Sequence, residues 1–291
     1  MSKDIIENSI GYNNDFNNII KNIETKSIVT GMVHGDQYLN DSPLFLENAE
    51  ENNFFFKHSM VLTTSQSSVS IVAPSDIPSK WSLPENSDNI AIENKISIIP
   101  INLKHLYFSI TITDTMKNDI RMDLEKGFLK LVQNRIHDQL VKVFIKGNGE
   151  AEPMGILHAN NEIEPVKIQK KDMIESMINS LNTIKNSYNE SFVFIFGKNF
   201  YQEYLAYIVK NNNSNITTNK FFDKPVYRSE HMSDNSCVCV NLSNYIIAKH
   251  ASVNLRKKEN LYFTDSLSIQ MKIGSYCHSI KDNLVLLTLN T

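Results

Sequence analysis

The sequence predicts an α+β fold from three features: one very long amphipathic helix over 115–146, a glycine turn over 147–155 that stops it, and a run of alternating strands and turns over 237–289. In the helix, Leu129, Val132, Ile136, Leu140 and Val143 recur at three- and four-residue spacing, and Ile120, Leu124, Phe128 and Leu131 form an adjoining apolar stripe. Asp114 and Thr115 offer capping oxygens at its start, while Asp119 and Glu125 fall early and Lys142 and Lys146 late, as the helix dipole favours. At 1.5 Å per residue the pattern makes a rod about 45 Å long, which suits a spine.

The turn reads Gly147-Asn148-Gly149-Glu150-Ala151-Glu152-Pro153-Met154-Gly155-Ile156-Leu157. A Gly-x-Gly that cradles a phosphate leaves a strand and opens a helix, so that the helix N-terminus faces the anion. This one closes a helix. Gly147 and Gly149 are therefore read as structural positions where positive φ or close approach is needed, with Pro153 and Gly155 fixing the turn that follows.

The other segments follow in order. Residues 1–53 are polar and Asn-rich, with weak apolar clusters at Ile19-Ile20 and Ile28-Val29, and bury too little to order themselves; they read as an arm across neighbouring subunits or as a disordered tail. Residues 54–89 are rich in Ser and Thr and broken by Pro74, Pro78 and Pro84, the pattern of a long hairpin extension without its own core. Strands then lead into the spine. A helix over 171–186 directs Met173, Ile174, Met177, Ile178, Leu181 and Ile184 to a core, and a strand at 192–196 and a short helix at 201–210 come next. Asn211 to Asn215 read as loop by composition. Cys237-Val238-Cys239 alternates as a strand with both thiols on one face, and Leu284-Val285-Leu286-Leu287 reads as a buried strand.

Composition excludes several function classes. At 291 residues and 41% hydrophobic the chain can form one large domain or two intertwined ones. No signal-peptide pattern opens it and no apolar run approaches a membrane span, so no membrane partner is expected and the chain is expected in the cytosol. Three cysteines make no disulfide framework, and no second Cys pair or spaced His pair supplies metal-ligand spacing. A net charge of −3 argues against tight nucleic-acid binding, and Arg256-Lys257-Lys258 reads as a solvated turn between strands. The eight histidines are scattered, and no Gly-x-Ser-x-Gly, His-Glu-x-x-His or complete phosphate loop occurs. No catalytic, cofactor-binding or metal residues are expected, and the chain is read as not an enzyme. An oxidoreductase that used the glycine turn for a nucleotide would need an acidic ribose partner after a βα unit, which is missing.

A long amphipathic helix, a Gly-x-Gly turn, then Pro153-x-Gly155-Ile156-Leu157 resembles the major capsid proteins of tailed bacteriophages, the Hong Kong 97-type fold. The order of segments resembles that family too. Residues 56–88 look like its extended E-loop hairpin, with Lys80-Trp81-Ser82-Leu83-Pro84-Glu85 as the return segment, and 96–113 like the paired strands before the spine. Residues 192–196 and 201–210 resemble the strand and short helix of the axial domain, and 222–227 the short Gly-x-Pro-Val segment, with Asp223 in place of the glycine. Two features depart from the pattern. Tyr276 stands near the place where members often carry an arginine after the basic residue matched by Lys272, and only about fifty residues precede the E-loop, room for an arm and not for a long scaffolding segment.

The resemblance implies an N-terminal arm at 1–53, an E-loop at 54–89, a peripheral domain with the spine helix at 90–149 and 228–291, and an axial domain at 150–227. It implies a structural subunit assembling into hexamers and pentamers of an icosahedral shell around double-stranded DNA, held without sequence-specific binding. That shell would belong to a phage, prophage or gene transfer particle assembled in a bacterial host cytoplasm, with portal or scaffold proteins as partners. Trp81, Glu85 and Lys80 are candidate subunit-interface residues. The alternative is an encapsulin-like shell storing cargo enzymes. Some members join an E-loop lysine to an asparagine of another subunit; Lys80 and Lys57 fit by position, but nothing selects a partner among Asn241, Asn244, Asn254 and Asn260, so no crosslink is expected.

Overall fold

A computed structural model describes residues 37–39, 50–72, 98–113, 122–158, 164–184, 189–211, 216–260, 264–277 and 280–290. In chain order the elements begin with β1 (Gln37–Leu39), α1 (Phe54–His58), β2 (Met60–Thr64), β3 (Ser68–Val72), β4 (Ile98–Asn102), β5 (Lys104–Thr113) and the spine α2 (Met122–Lys146). There follow β6 (Val166–Ile168), α3 (Met173–Thr183), β7 (Phe192–Phe196), α4 (Lys198–Asn211), β8 (Ile216–Thr217), β9 (Lys220–Phe221) and β10 (Lys224–Arg228). The chain closes with β11 (Ser236–Asn241), β12 (Tyr245–His250), β13 (Asn254–Asn260), β14 (Thr264–Cys277), α5 (Ile280–Asn283) and β15 (Leu284–Leu289).

A seven-stranded sheet runs in the order β6-β15-β11-β7-β10-β9-β8. Its central strand, Phe-Val-Phe-Ile-Phe, is buried at every position, which a half-solvated strand would not allow. The period of two sends alternate residues into different cores. Phe192, Phe194 and Phe196 join Cys237, Cys239, Leu287 and Leu289 under α3 and α4, packing on Met173, Met177, Phe200 and Tyr204. Val193, Ile195, Val238, Val240 and Leu284 face the other way, onto Ile136, Leu140 and Phe144 of the spine and Ile269, Met271 and Ile273 of β14.

The second sheet is built on β14. β5 pairs along one edge, and β13 and β12 pair in succession along the other, so that Gln270 lies between Tyr107 and Asn254, and Ile273 between Lys104 and Lys249. β2 adds in parallel to β12, and β1 adds antiparallel to β13. A two-stranded ribbon, β3 with β4, is the third sheet, in register from Ser68↔Asn102 to Val72↔Ile98. Ile101 and Leu103 bury its base against Ile246 and Ala248, whereas Val72 and Ile98 at its far end are exposed.

Several expectations change. The extension expected to start at Phe54 does not leave the body there: Asn53 caps α1 by accepting from the Phe55 amide at 3.0 Å, and Phe54 and Phe55 are buried. Consecutive phenylalanines carry more apolar area than the Ser/Thr-rich stretch after them, so α1 and β2 join the core and the departing ribbon pairs 68–72 with 98–102. On the spine, the expected start at 114–121 lies outside the described residues. Its buried face is Ile136, Leu140 and Phe144 flanked by Val141 and Ile145, with Val143 half-buried, because α1 covers the last turns from a second side. The rings mark that cover, with Phe55 5.3 Å from Phe144 and 5.6 Å from Tyr245. α3 is shorter than expected, and Met173, Met177, Ser180 and Leu181 form a stripe that leaves Ile178 exposed. Arg256-Lys257-Lys258 is strand, not turn: after a break at 251–253, β13 continues the pairing that β12 begins.

Phe194→Ala removes a ring packed edge-on to Phe192 and Phe221 at the middle of the sealed sheet. Chemical denaturation is expected to show a loss of about 3–5 kcal/mol of unfolding free energy.

Candidate functional site

A helix ends with carbonyls that have no partner within it. At the end of α2 the chain folds back to supply them: the Ile156 amide donates to the Phe144 carbonyl at 2.8 Å, Leu157 to Ile145 at 3.0 Å, and Gly155 to Gly147 at 2.9 Å. Such an approach leaves no room for side chains. An added Cβ at Gly147 would stand 2.0 Å from the Pro153 carbonyl oxygen, and one at Gly155 would stand 2.5 Å from the Gly147 nitrogen. Gly149 between them has φ +76°, in the left-handed region that favours glycine. The turn thus uses two kinds of glycine: positive φ at Gly149, close approach at Gly147 and Gly155. The Asn148 side-chain oxygen accepts from the Glu150 and Glu152 amides at 3.0 and 3.3 Å and shapes the outer loop.

The turn is also tied to the second sheet. The Met154 carbonyl accepts from the Tyr245 hydroxyl and from the Ser275 hydroxyl, each at 2.7 Å. Tyr245 is fully buried and burial holds its phenol well above the usual range, so it remains a donor. Spine, turn, β12 and β14 are locked at one carbonyl, with Ile156 buried beneath.

A second cluster joins α1 to the seven-stranded sheet. Phe54 stacks on Tyr227 at 4.4 Å, while His58 meets the Glu190 backbone carbonyl through Nδ1 and the Tyr227 hydroxyl through Nε2, both at 3.0 Å. A carbonyl only accepts, so neutral His58 carries its proton on Nδ1 and accepts from Tyr227 at Nε2. Burial lowers the His58 pKa, against an opposing pull from the Glu190 carbonyl; burial lowers that of His137 on the spine too, opposed by Asp138. His231 reaches Asp138 at 2.7 Å, and Lys249 pairs with Glu50 beside β12.

The structure brings Gly147, Gly149, Pro153 and Gly155 together in the turn, whereas Lys80, Trp81 and Glu85 lie outside the described residues. Lys57 is exposed, and Asn241 spends its side-chain oxygen capping the turn at Ser243. Among the described residues no group of three or more His, Cys, Asp or Glu is placed to hold a metal, and no helix is long and apolar enough to cross a membrane. Cys237 and Cys239 are buried with Sγ atoms 3.8 Å apart. Sequence reasoning missed Tyr245, Ser275 and His58, since nothing local marks a hydroxyl or an imidazole whose partners lie far along the chain. At Phe222-Asp223, where the family pattern has a glycine at the second position, φ is 45° and 64°, a two-residue hairpin turn of the primed kind between β9 and β10.

A family model described as the phage capsid family matches residues 42–268. No curated protein matches the chain in sequence. Among solved structures, the capsid of a native GTA particle is similar at 14% identity and a TM-score of 0.59, over 90% of this chain and 94% of that one. The satellite phage P4 procapsid including its size determination (Sid) protein is similar at 13% identity and a TM-score of 0.60, over 93% and 97%. A virus-like particle from Pyrococcus furiosus is similar at 12% identity and a TM-score of 0.55, over 84% and 95%.

Two measurements check this geometry. Gly147→Ala is expected to abolish soluble subunit, because backbone atoms on both sides must move, while Gly149→Ala costs about 1–3 kcal/mol of strain and Tyr245→Phe about 1 kcal/mol, read by denaturant melts. The second follows from His58 and His137. Their folded pKa values lie below the ordinary 6.5, so the unfolded chain takes up protons first and stability that is complete above that value is lost as pH falls. The melting temperature is expected to fall from about pH 7.5 to about pH 5.5, less steeply in His58→Gln.

Proposed function

The chain belongs to the phage capsid family and has its Hong Kong 97-type fold, and from that premise we propose how its copies close a shell. It is a major capsid protein, a structural subunit of an icosahedral shell. In our reading it acts without catalysis or cofactor, assembles as hexamers and pentamers, and encloses double-stranded DNA without gripping it, in keeping with the net charge of −3. Assembly in a bacterial host cytoplasm and a portal or scaffold partner belong to the same reading; the P4 procapsid, which includes a size determination protein, supports the latter.

The observation that carries the proposal is the β3–β4 ribbon. It leaves the body with its base anchored on Ile246 and Ala248 and its far pair, Val72 and Ile98, exposed at 44% and 67%. Apolar pairs on a two-stranded ribbon are unstable in water without cover, and a neighbouring subunit is the natural cover. Residues 73–97, with Lys80, Trp81 and Glu85, continue from that end and are proposed as the contact, Trp81 being the anchor. The encapsulin-like alternative is less supported, because the matching family model is that of phage capsids.

Replacing 73–97 by a short Gly-Ser linker spares every described strand. It is expected to leave a soluble subunit with a cooperative melt that forms no shells, and Trp81→Ala is expected to weaken assembly in the same direction without lowering the melt. Intact shells from the shortened chain, seen by negative-stain microscopy, would remove the ribbon's assigned role.

A further inference from the structure

A histidine stands at each end of β2. His58 closes α1 just before the strand starts at Met60, and His250 lies opposite Thr64 where the strand stops. Among the described residues β2 pairs with β12 alone, and the three residues after it, 65–67, lead into the ribbon. The Ala251 amide donates to the Thr64 carbonyl at 2.8 Å, and the Leu103 amide to that of Ser67 at 3.0 Å. Whatever fixes the two ends of β2 therefore fixes the angle at which the ribbon leaves the body.

Both rings are bonded as neutral imidazoles. At His250 the Ser65 carbonyl, 3.0 Å from Nε2, only accepts, and the Ser252 amide, 3.1 Å from Nδ1, only donates. The ring proton thus sits on Nε2, and the Ser252 hydroxyl at 2.9 Å is a second donor toward Nδ1. The same nitrogen lies 3.3 Å from the Ser252 carbonyl. An amide hydrogen cannot turn away, so a second proton on His250 sets N–H against N–H and drives the ring toward that carbonyl, off its bond to Ser65. His58 is bonded in the opposite sense, donating to the Glu190 carbonyl and accepting from Tyr227. A second proton there forces the Tyr227 hydroxyl to reverse.

The surroundings differ at the two ends. Burial disfavours the charge on His58 most, the Glu190 carbonyl favours it, Lys57 opposes it and the Glu190 carboxylate favours it least. Lys224, on the same strand as Tyr227, donates to the Asn189 carbonyl beside them. The side-chain partners of His250 are the uncharged Ser65 and Ser252, and Lys249 lies on the opposite face of β12, paired with Glu50.

We propose that His58 and His250 form a proton-operated clamp on β2: with both rings neutral the ribbon's root is fixed to the body, and protonation in mildly acidic solution frees it. Imidazole is the side chain suited to such a device, since it changes charge in that range. Freeing the root changes how the ribbon is offered to a neighbour. That consequence rests on the contact proposed above, whereas the experiment below reads the clamp itself, so the two fail separately.

Hydrogen exchange of the full chain, expressed as protection factors at about pH 7.5 and about pH 5.5, tests the clamp. Protection over 59–67 and 251–253 is expected to fall about fivefold or more on acidification, and that of β7 by less than about twofold. His250→Gln keeps a donor toward Ser65 without a titrating ring and is expected to abolish the response at 64–67 and 251–253; His58→Gln is expected to abolish it at 59–61. Unchanged protection in the parent, an equal loss in β7, or a parent-like response in both variants would overturn the clamp.

Discussion

The carbonyls at the end of the spine helix are the constraint on which this architecture turns. A helix that stops inside a core must hand its last acceptors to donors from elsewhere, since water cannot reach them. Here the donors are the amides of Gly155, Ile156 and Leu157, brought so near that Gly147 and Gly155 tolerate no side chain. The same fold-back turns the Met154 carbonyl toward Tyr245 and Ser275 and so fixes the spine against β12 and β14. The motif read as a turn in the sequence is thus a joint between three elements.

From that joint the rest follows by layers. The spine's last turns fill one face of the seven-stranded sheet and α3 and α4 fill the other, so β7 and β11 send alternate residues into two separate cores. α1 closes the first core with Phe54 and Phe55 and leads directly through β2 to the ribbon. The ribbon's near end is therefore held by a well-packed body while its far end has exposed apolar side chains. Rigidity at the base and exposure at the end are what a subunit needs to reach a neighbour without unfolding itself.

Much of this was legible in the sequence because it is periodic or local. The spine, the β7 strand, the Cys237-Val238-Cys239 alternation and the glycine turn all appear as short-range patterns. What stayed hidden depends on distant partners. Nothing near Phe54 says that its ring meets Tyr227, and nothing near His58 says that Glu190 and Tyr227 wait for its two nitrogens. Arg256-Lys257-Lys258 looked like a solvated turn because charge suggests loop, while pairing with β14 decides strand. The hairpin at Phe222-Asp223 stayed hidden since its residues are poor formers of the turn they adopt.

The central claim is that the exposed end of the ribbon is covered by another copy of the chain. Cryo-electron microscopy of the purified protein after assembly tests it most directly. The account predicts closed shells with five- and six-fold capsomers, in which density from a neighbouring subunit lies over Val72 and Ile98. A protein that stays monomeric at high concentration, or shells in which that pair faces solvent, would contradict it.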